Sequence, residues 1–142
     1  MNLIVDASVA LKWFINEHGS AQALELRASH NLAAPDLLLI ECRNAILNKV
    51  RRRTISSDDA RQVESGLELS GITILPSTAC LSDAFQIALE VSAPIYDCIY
   101  LACAILSDRI LVTADERFLA RVTTADFAAG RIRLLAEMAA GA

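Results

Sequence analysis

Histidine is almost missing from this chain: only His18 and His30 occur in 142 residues. Neither sits at ligand spacing from a cysteine, and both read as loop residues without a role. The four cysteines, Cys42, Cys80, Cys98 and Cys103, form no C-x-x-C pair. That pattern excludes the usual zinc and dithiol motifs. All four sit in apolar helical patterns, where free cysteine behaves as a small hydrophobe. A disulfide framework is not expected, and a reducing cytoplasm fits best. Three prolines and five glycines are too few for a linker, and no segment repeats or is of low complexity. No long run of one charge sign occurs, so disorder is not expected. The longest apolar run, Cys98 to Leu106, is too short to span a bilayer. The opening residues lack a basic segment and meet Asp6 at once, unlike a secretory signal.

What the chain does contain is apolar residues, at 54%. A single domain over residues 1–142 suits the length. Such a chain buries roughly 68–70% of its unfolded surface, enough for a core without staples. The surplus implies a dimer or partner interface, unless alanine merely inflates the count. The net charge of −4 argues mildly against a nucleic-acid binder, but clustered acids over a cation would produce the same balance.

Short strands alternate with helical stretches. Strands are expected at Leu3–Val5, Ile72–Leu75 and Ile110–Val112, with a brief extended piece at Leu32–Ala33. Helices are expected over Val9–Ile15 and Ala21–Ser29, from an Asp36 cap to Arg53, and from Ser56 or Ser57 to about Ser70. Further helices are expected around Leu81–Leu89, from a cap at Asp97, and over Glu116–Val122. Ile132–Leu135 reads equally as strand or helix. The alternation predicts an α/β fold of three layers, a central parallel β-sheet flanked by α-helices.

Four acids stand against apolar runs: Asp6 after Leu3-Ile4-Val5, Glu41 after Leu37–Ile40, Asp97 before Cys98–Ala102, and Asp115 after Ile110–Val112. A buried carboxylate must be paired, hydrogen-bonded or metal-bound. Asp6 and Asp115 fall past the ends of predicted strands, the edge where such sheets bind ligands. Taken singly, Asp6, Asp97 and Asp115 read as helix caps. Glu41 does not; with Asn44 and Asn48 it forms a polar stripe on an apolar helix, either a site or a solvent face. Carboxylates that converge without a cation repel one another. A hard cation such as magnesium or manganese resolves this and points to phosphodiester or phosphate-ester hydrolysis.

The segments Val5-Asp6-Ala7-Ser8-Val9, Pro35 with Glu41 and Asn44, Tyr96 to Ala102, and Thr113-Ala114-Asp115 resemble the PIN domain. The order and spacing are most similar to VapC-type toxins of bacterial toxin–antitoxin pairs. This resemblance implies a magnesium-dependent endoribonuclease, with manganese as a substitute. It implies Asp6 and Asp97 as principal metal ligands and Glu41 and Asp115 as completing the acidic pocket. Ser8 and Thr113 would hydrogen-bond to the ligands, and Asn44 would touch metal waters or substrate. Glu116 follows the fourth acid directly and Arg117 comes next, which leaves one metal or two open. Also implied are a homodimer, an RNA substrate and a cognate antitoxin that lays a peptide across the pocket.

Lys49, Arg51, Arg52 and Arg53 then read either as holders of RNA phosphates or as a solvated helix end. Trp13 and Phe14 read either as stacking platforms or as core or dimer contacts. A PIN-like module that binds without cleaving is the alternative from another class. A haloacid-dehalogenase or receiver domain also places an Asp after its first strand. The D-x-D of the former is not met by Asp6-Ala7-Ser8, and the adjacent acids and late lysine of the latter do not appear.

Overall fold

The computed structural model describes residues 1–138. Five strands form one parallel sheet in the order β3-β2-β1-β4-β5. They are β1 (Asn2–Val5), β2 (Asn31–Pro35), β3 (Thr73–Leu75), β4 (Ile110–Thr113) and β5 (Ile132–Leu134). Leu3, Ile4 and Val5 are all fully buried. Alternate residues point to opposite faces, so helices cover both sides of β1. That is why its sequence is a continuous apolar run rather than an alternation. The buried apolar side chains of sheet and helices form one cluster.

The helices are α1 (Ala7–Ala10), α2 (Ser20–Ser29), α3 (Leu37–Arg51), α4 (Ser57–Glu68), α5 (Leu81–Val91), α6 (Ile95–Leu106), α7 (Glu116–Val122) and α8 (Leu135–Met138). α6 is buried from Cys98 to Ala104 and packs against β1, β2 and β4, as its all-round apolar sequence predicts. All four cysteines are free and buried. No single helix among the described residues is long and apolar enough to cross a membrane.

Several boundaries differ from expectation for local reasons. The helix expected over Val9–Ile15 starts earlier, at Ala7, and tightens to a 3-10 turn at Leu11–Trp13. The tighter turn carries Trp13 into the core, where its indole N–H donates to the Ala23 carbonyl at 2.9 Å. β2 runs on through Pro35 because that residue, lacking an N–H, closes the strand; the next amide, Asp36, donates to the Leu75 carbonyl at 2.9 Å. Asp36 stands at the start of α3 without capping it. Its carboxylate instead accepts from the Ser77 amide at 3.1 Å, while the Ser77 hydroxyl accepts from Leu37 N–H at 3.0 Å. α6 begins at Ile95 behind Pro94, so Asp97 lies in its first turn and is not its cap. The ambiguous Ile132–Leu135 stretch is both, a strand and then the first residue of α8. Ser56 caps α4 through a reciprocal box with Asp59.

All five strands end at the same edge. β1 delivers Asp6 there and β4 delivers Asp115. α3 leaves β2 from that edge, with Glu41 in its second turn. α6 returns from that edge toward the start of β4, with Asp97 in its first turn.

Candidate active site

Asp6 is the most constrained of the acids. It caps α1, accepting from Val9 N–H at 3.2 Å. The Ser8 hydroxyl donates to Oδ1 at 2.5 Å, and the Thr113 hydroxyl donates to Oδ2. Both hydroxyl oxygens are themselves acceptors: Ser8 from Ala114 N–H and Thr113 from Asp115 N–H, each at 3.0 Å. With the oxygen so engaged, each hydroxyl proton points at Asp6. Two short relays therefore stitch the end of β1 to the end of β4 and aim the carboxylate. Thr113 is fully buried. Some of the Asp6 residue surface is exposed, yet its carboxylate is packed round, and burial is the main cause that raises its pKa. The Ser8, Thr113 and Val9 hydrogen bonds oppose that rise, and Glu41 adds to it.

Asp115 caps α7, accepting from Phe118 N–H at 3.0 Å. Capping and membership of the acidic edge are thus one arrangement for Asp6 and Asp115, not competing ones. The Asp97 carboxyl is pushed up to about 6, first by burial and then by the charges of Asp115, Asp6 and Glu41. The charges of the other three acids thus reach Asp97 at this edge. Among the described residues, no three acidic, histidine or cysteine side chains form a closed metal-ligand set. The acids make a convergent edge rather than a finished cage. Their chemistry still fits a hard cation: the donors are all oxygen, partly stripped of water and mutually repelling.

Two residues that sequence reasoning did not single out belong to this edge. Arg121 on α7 is the cation that acts against the rise at Asp97, and its guanidinium donates to the Ser92 carbonyl. Nothing in its spacing, six residues past Asp115, marks it. Tyr100, within the motif that begins at Tyr96, is buried with its hydroxyl near Glu41.

Glu41 is half-buried, while Asn44, one turn further along α3, is exposed, so the stripe is part site and part solvent face. Glu116 and Arg117 are exposed. Arg51, Arg52 and Arg53 are exposed at the far end of α3, about 16 Å from Glu41 along the helix axis. Lys49 lies 3.8 Å from the Glu17 carboxylate. Trp13 is core, so it cannot stack on a base; Phe14 packs edge-on to it at 6.2 Å. Gly66 of α4 makes room for the Phe14 ring, since a Cβ there would lie 2.8 Å from it.

A parallel sheet with carboxylates at its carboxyl edge defines an α/β protein whose acids gather where such sheets bind ligands. The sequence matches the PIN domain over residues 3–123, and the chain belongs to the PIN-domain family. It is 30% identical over 130 residues to Ribonuclease VapC3 of Pyrobaculum aerophilum, covering 87% of this chain and 99% of that protein. Among solved structures it is similar to PAE2754 of Pyrobaculum aerophilum, with a TM-score of 0.70 and 23% identity, covering 97% of this chain and 86% of that one. It is also similar to a chain of a toxin–antitoxin complex from Klebsiella pneumoniae, with a TM-score of 0.62 and 18% identity over 85% of this chain and 92% of that one.

Proposed function

We propose that this protein is a magnesium-dependent endoribonuclease that acts as the toxin of a toxin–antitoxin pair. The observation that carries the proposal is the sheet edge where β1 delivers Asp6 and β4 delivers Asp115, beside Asp97, whose carboxyl is raised first by burial and then by the charges of Asp115, Asp6 and Glu41. Kinship with a ribonuclease over nearly the whole chain supplies the substrate class.

In this reading Asp6 and Asp97 hold the cation, and Glu41 and Asp115 complete the pocket. Magnesium, or manganese in its place, would stabilise charge on the scissile phosphate and activate a water. Ser8 and Thr113 keep the Asp6 carboxylate aimed into that pocket. Arg121 offers positive charge beside Asp97, where a phosphate would arrive. Arg51, Arg52 and Arg53 are free to hold the RNA backbone further out, with Lys49 beside them.

An antitoxin peptide laid across the acids would offer them a cation; the apolar groove of about 330 Å³ between α3 and α4, lined by Ile46, Leu47, Val50 and Ala60 among others, includes none of those acids. The exposed stripe Leu81, Phe85 and Leu89 on α5 suits a second copy of the chain. Four buried free thiols fit a reducing cytoplasm.

Purified protein should cut structured RNA with magnesium and stop on chelation. Failure to cut any RNA in magnesium or manganese, with a partner still bound tightly, would favour the binding module.

A further inference from the structure

We infer that the pocket beside Asp115 is a base-reading subsite: it seats one unpaired nucleobase of the RNA strand next to the scissile phosphate, and Gln22 reads the edge of that base. The inference deepens the nuclease reading above and rests on it.

The pocket has a volume of about 180 Å³. Pockets that take drug-sized molecules start at about 300 Å³, so this one suits a single ring system rather than a peptide segment. It lies at the edge where the acids gather. Ala114 and Glu116 line it, and they flank Asp115 in sequence. The Ala114 amide donates to Ser8 Oγ at 3.0 Å, and the Ser8 hydroxyl donates in turn to Asp6. Pocket wall and acids are thus parts of one hydrogen-bonded segment at the ends of β1 and β4. A strand whose phosphate lies over the acids brings its neighbouring base to this pocket.

The lining suits a base. Gly19 borders the pocket together with Lys12 and Leu135. A Cβ at Gly19 would stand 3.4 Å from Lys12 Cδ and Cε and from Leu135 Cδ2, so the missing side chain keeps that space clear. Lys12 is fixed there: its Nζ donates to the His18 carbonyl at 2.7 Å and to Glu17 at 3.4 Å, and its side chain is only 13% exposed. With the ammonium tied down, its methylenes and Leu135 offer apolar surface to a flat ring. The Glu17 carboxylate is shared, with Lys49 3.8 Å from its other oxygen. Two ammonium groups on one carboxylate leave surplus positive charge beside the pocket, which suits the RNA backbone. The Gln22 side chain, also on the lining, is both donor and acceptor and matches the amine and N7 of adenine. The Glu116 carboxylate only accepts, so it takes an exocyclic amine and repels the carbonyl of uracil. Unpaired bases read at their edges are the usual basis of sequence choice in RNA.

The test is cleavage of a random-sequence single-stranded RNA pool by the full chain in magnesium, with the product ends sequenced. One position beside the cut should favour adenine over uracil by about tenfold, the usual worth of one bidentate contact to a base edge. Gln22→Ala should flatten that preference at that position alone, with manganese affinity by calorimetry unchanged. Ala136→Phe, which adds a ring to the pocket lining, should raise KM for RNA by about fivefold or more, the least effect of losing one seated base. Cleavage with no preference beside the cut, or the wild-type preference in Gln22→Ala, overturns the inference while the nuclease reading stands. A wild-type protein that cuts no RNA in magnesium or manganese overturns both. Should either variant not fold, wild-type protein decides through the substrate: 7-deaza-adenine at the favoured position lacks the N7 acceptor and should be cut about as poorly as uracil, and cleavage equal to that of adenine overturns the inference.

Discussion

Replacing Asp97 with asparagine should make the metal-free protein more stable while destroying its activity. In the folded chain the Asp97 carboxyl is raised from 3.8 to about 6. Each pH unit of displacement is worth about 1.4 kcal/mol, which sets a ceiling near about 3 kcal/mol. The residue is partly exposed, and solvent screening brings the realistic figure to about 1–2 kcal/mol. For a domain of this size that is a rise in Tm of about 3–6 °C. The sign follows from linkage. The folded state binds the Asp97 proton more tightly than the unfolded state does, so this group lowers stability as pH rises from about 4 to about 6. Above about 6 the penalty is fully present, and below about 4 it is gone. Thermal melts in chelator at about pH 8 and about pH 4 should therefore show Asp97→Asn more stable at the higher pH and level with wild type at the lower. Adding manganese at high pH should stabilise wild type and leave the mutant behind. A mutant that is less stable at high pH, or equally shifted at both pH values, would refute the reasoning that burial and the neighbouring acids together disfavour the ionised Asp97 carboxylate.

Asp6→Asn should likewise abolish RNA cleavage and leave a folded protein by circular dichroism. Ser8→Ala should lower stability by about 1–2 kcal/mol in urea unfolding, because it leaves the Ala114 amide without its acceptor and loosens Asp6. Changing Arg51, Arg52 and Arg53 together to glutamine should weaken RNA binding and flatten its salt dependence, with single-turnover cleavage of saturated enzyme unchanged. Gly66→Ala should destabilise the protein, since the Phe14 ring stands 2.8 Å from the added carbon; wild-type Tm in that variant would contradict the packing.

The centre of the sheet was legible because β1 and β4 are buried on both faces. Leu3-Ile4-Val5 and Ile110-Leu111-Val112 are continuous apolar runs, and in this chain such runs are strands. The acidic edge was legible for the same reason, since a carboxylate directly after a buried strand has one place to go. The position of Asp97 within its helix was not. Pro94 lies three residues before it, and the helix takes up its turn at once behind the proline, which moves Asp97 from the cap into the first turn. Asp36 shows the converse. It holds the expected position, but Ser77, distant in sequence, takes its carboxylate away from α3. Arg121 and the Tyr100 hydroxyl were hidden for a further reason. Their places at the acidic edge depend on how α7 and α6 lie against the sheet, and periodicity carries no information about that rotation.

If the proposed nuclease reading holds, Asp6, Glu41, Asp97 and Asp115 jointly hold a divalent cation. Crystals grown with manganese and measured at its absorption edge test it most directly. An anomalous peak should lie between the Asp6 and Asp97 carboxylates and be absent in crystals of Asp97→Asn. A peak elsewhere, or none at saturating manganese, would contradict it.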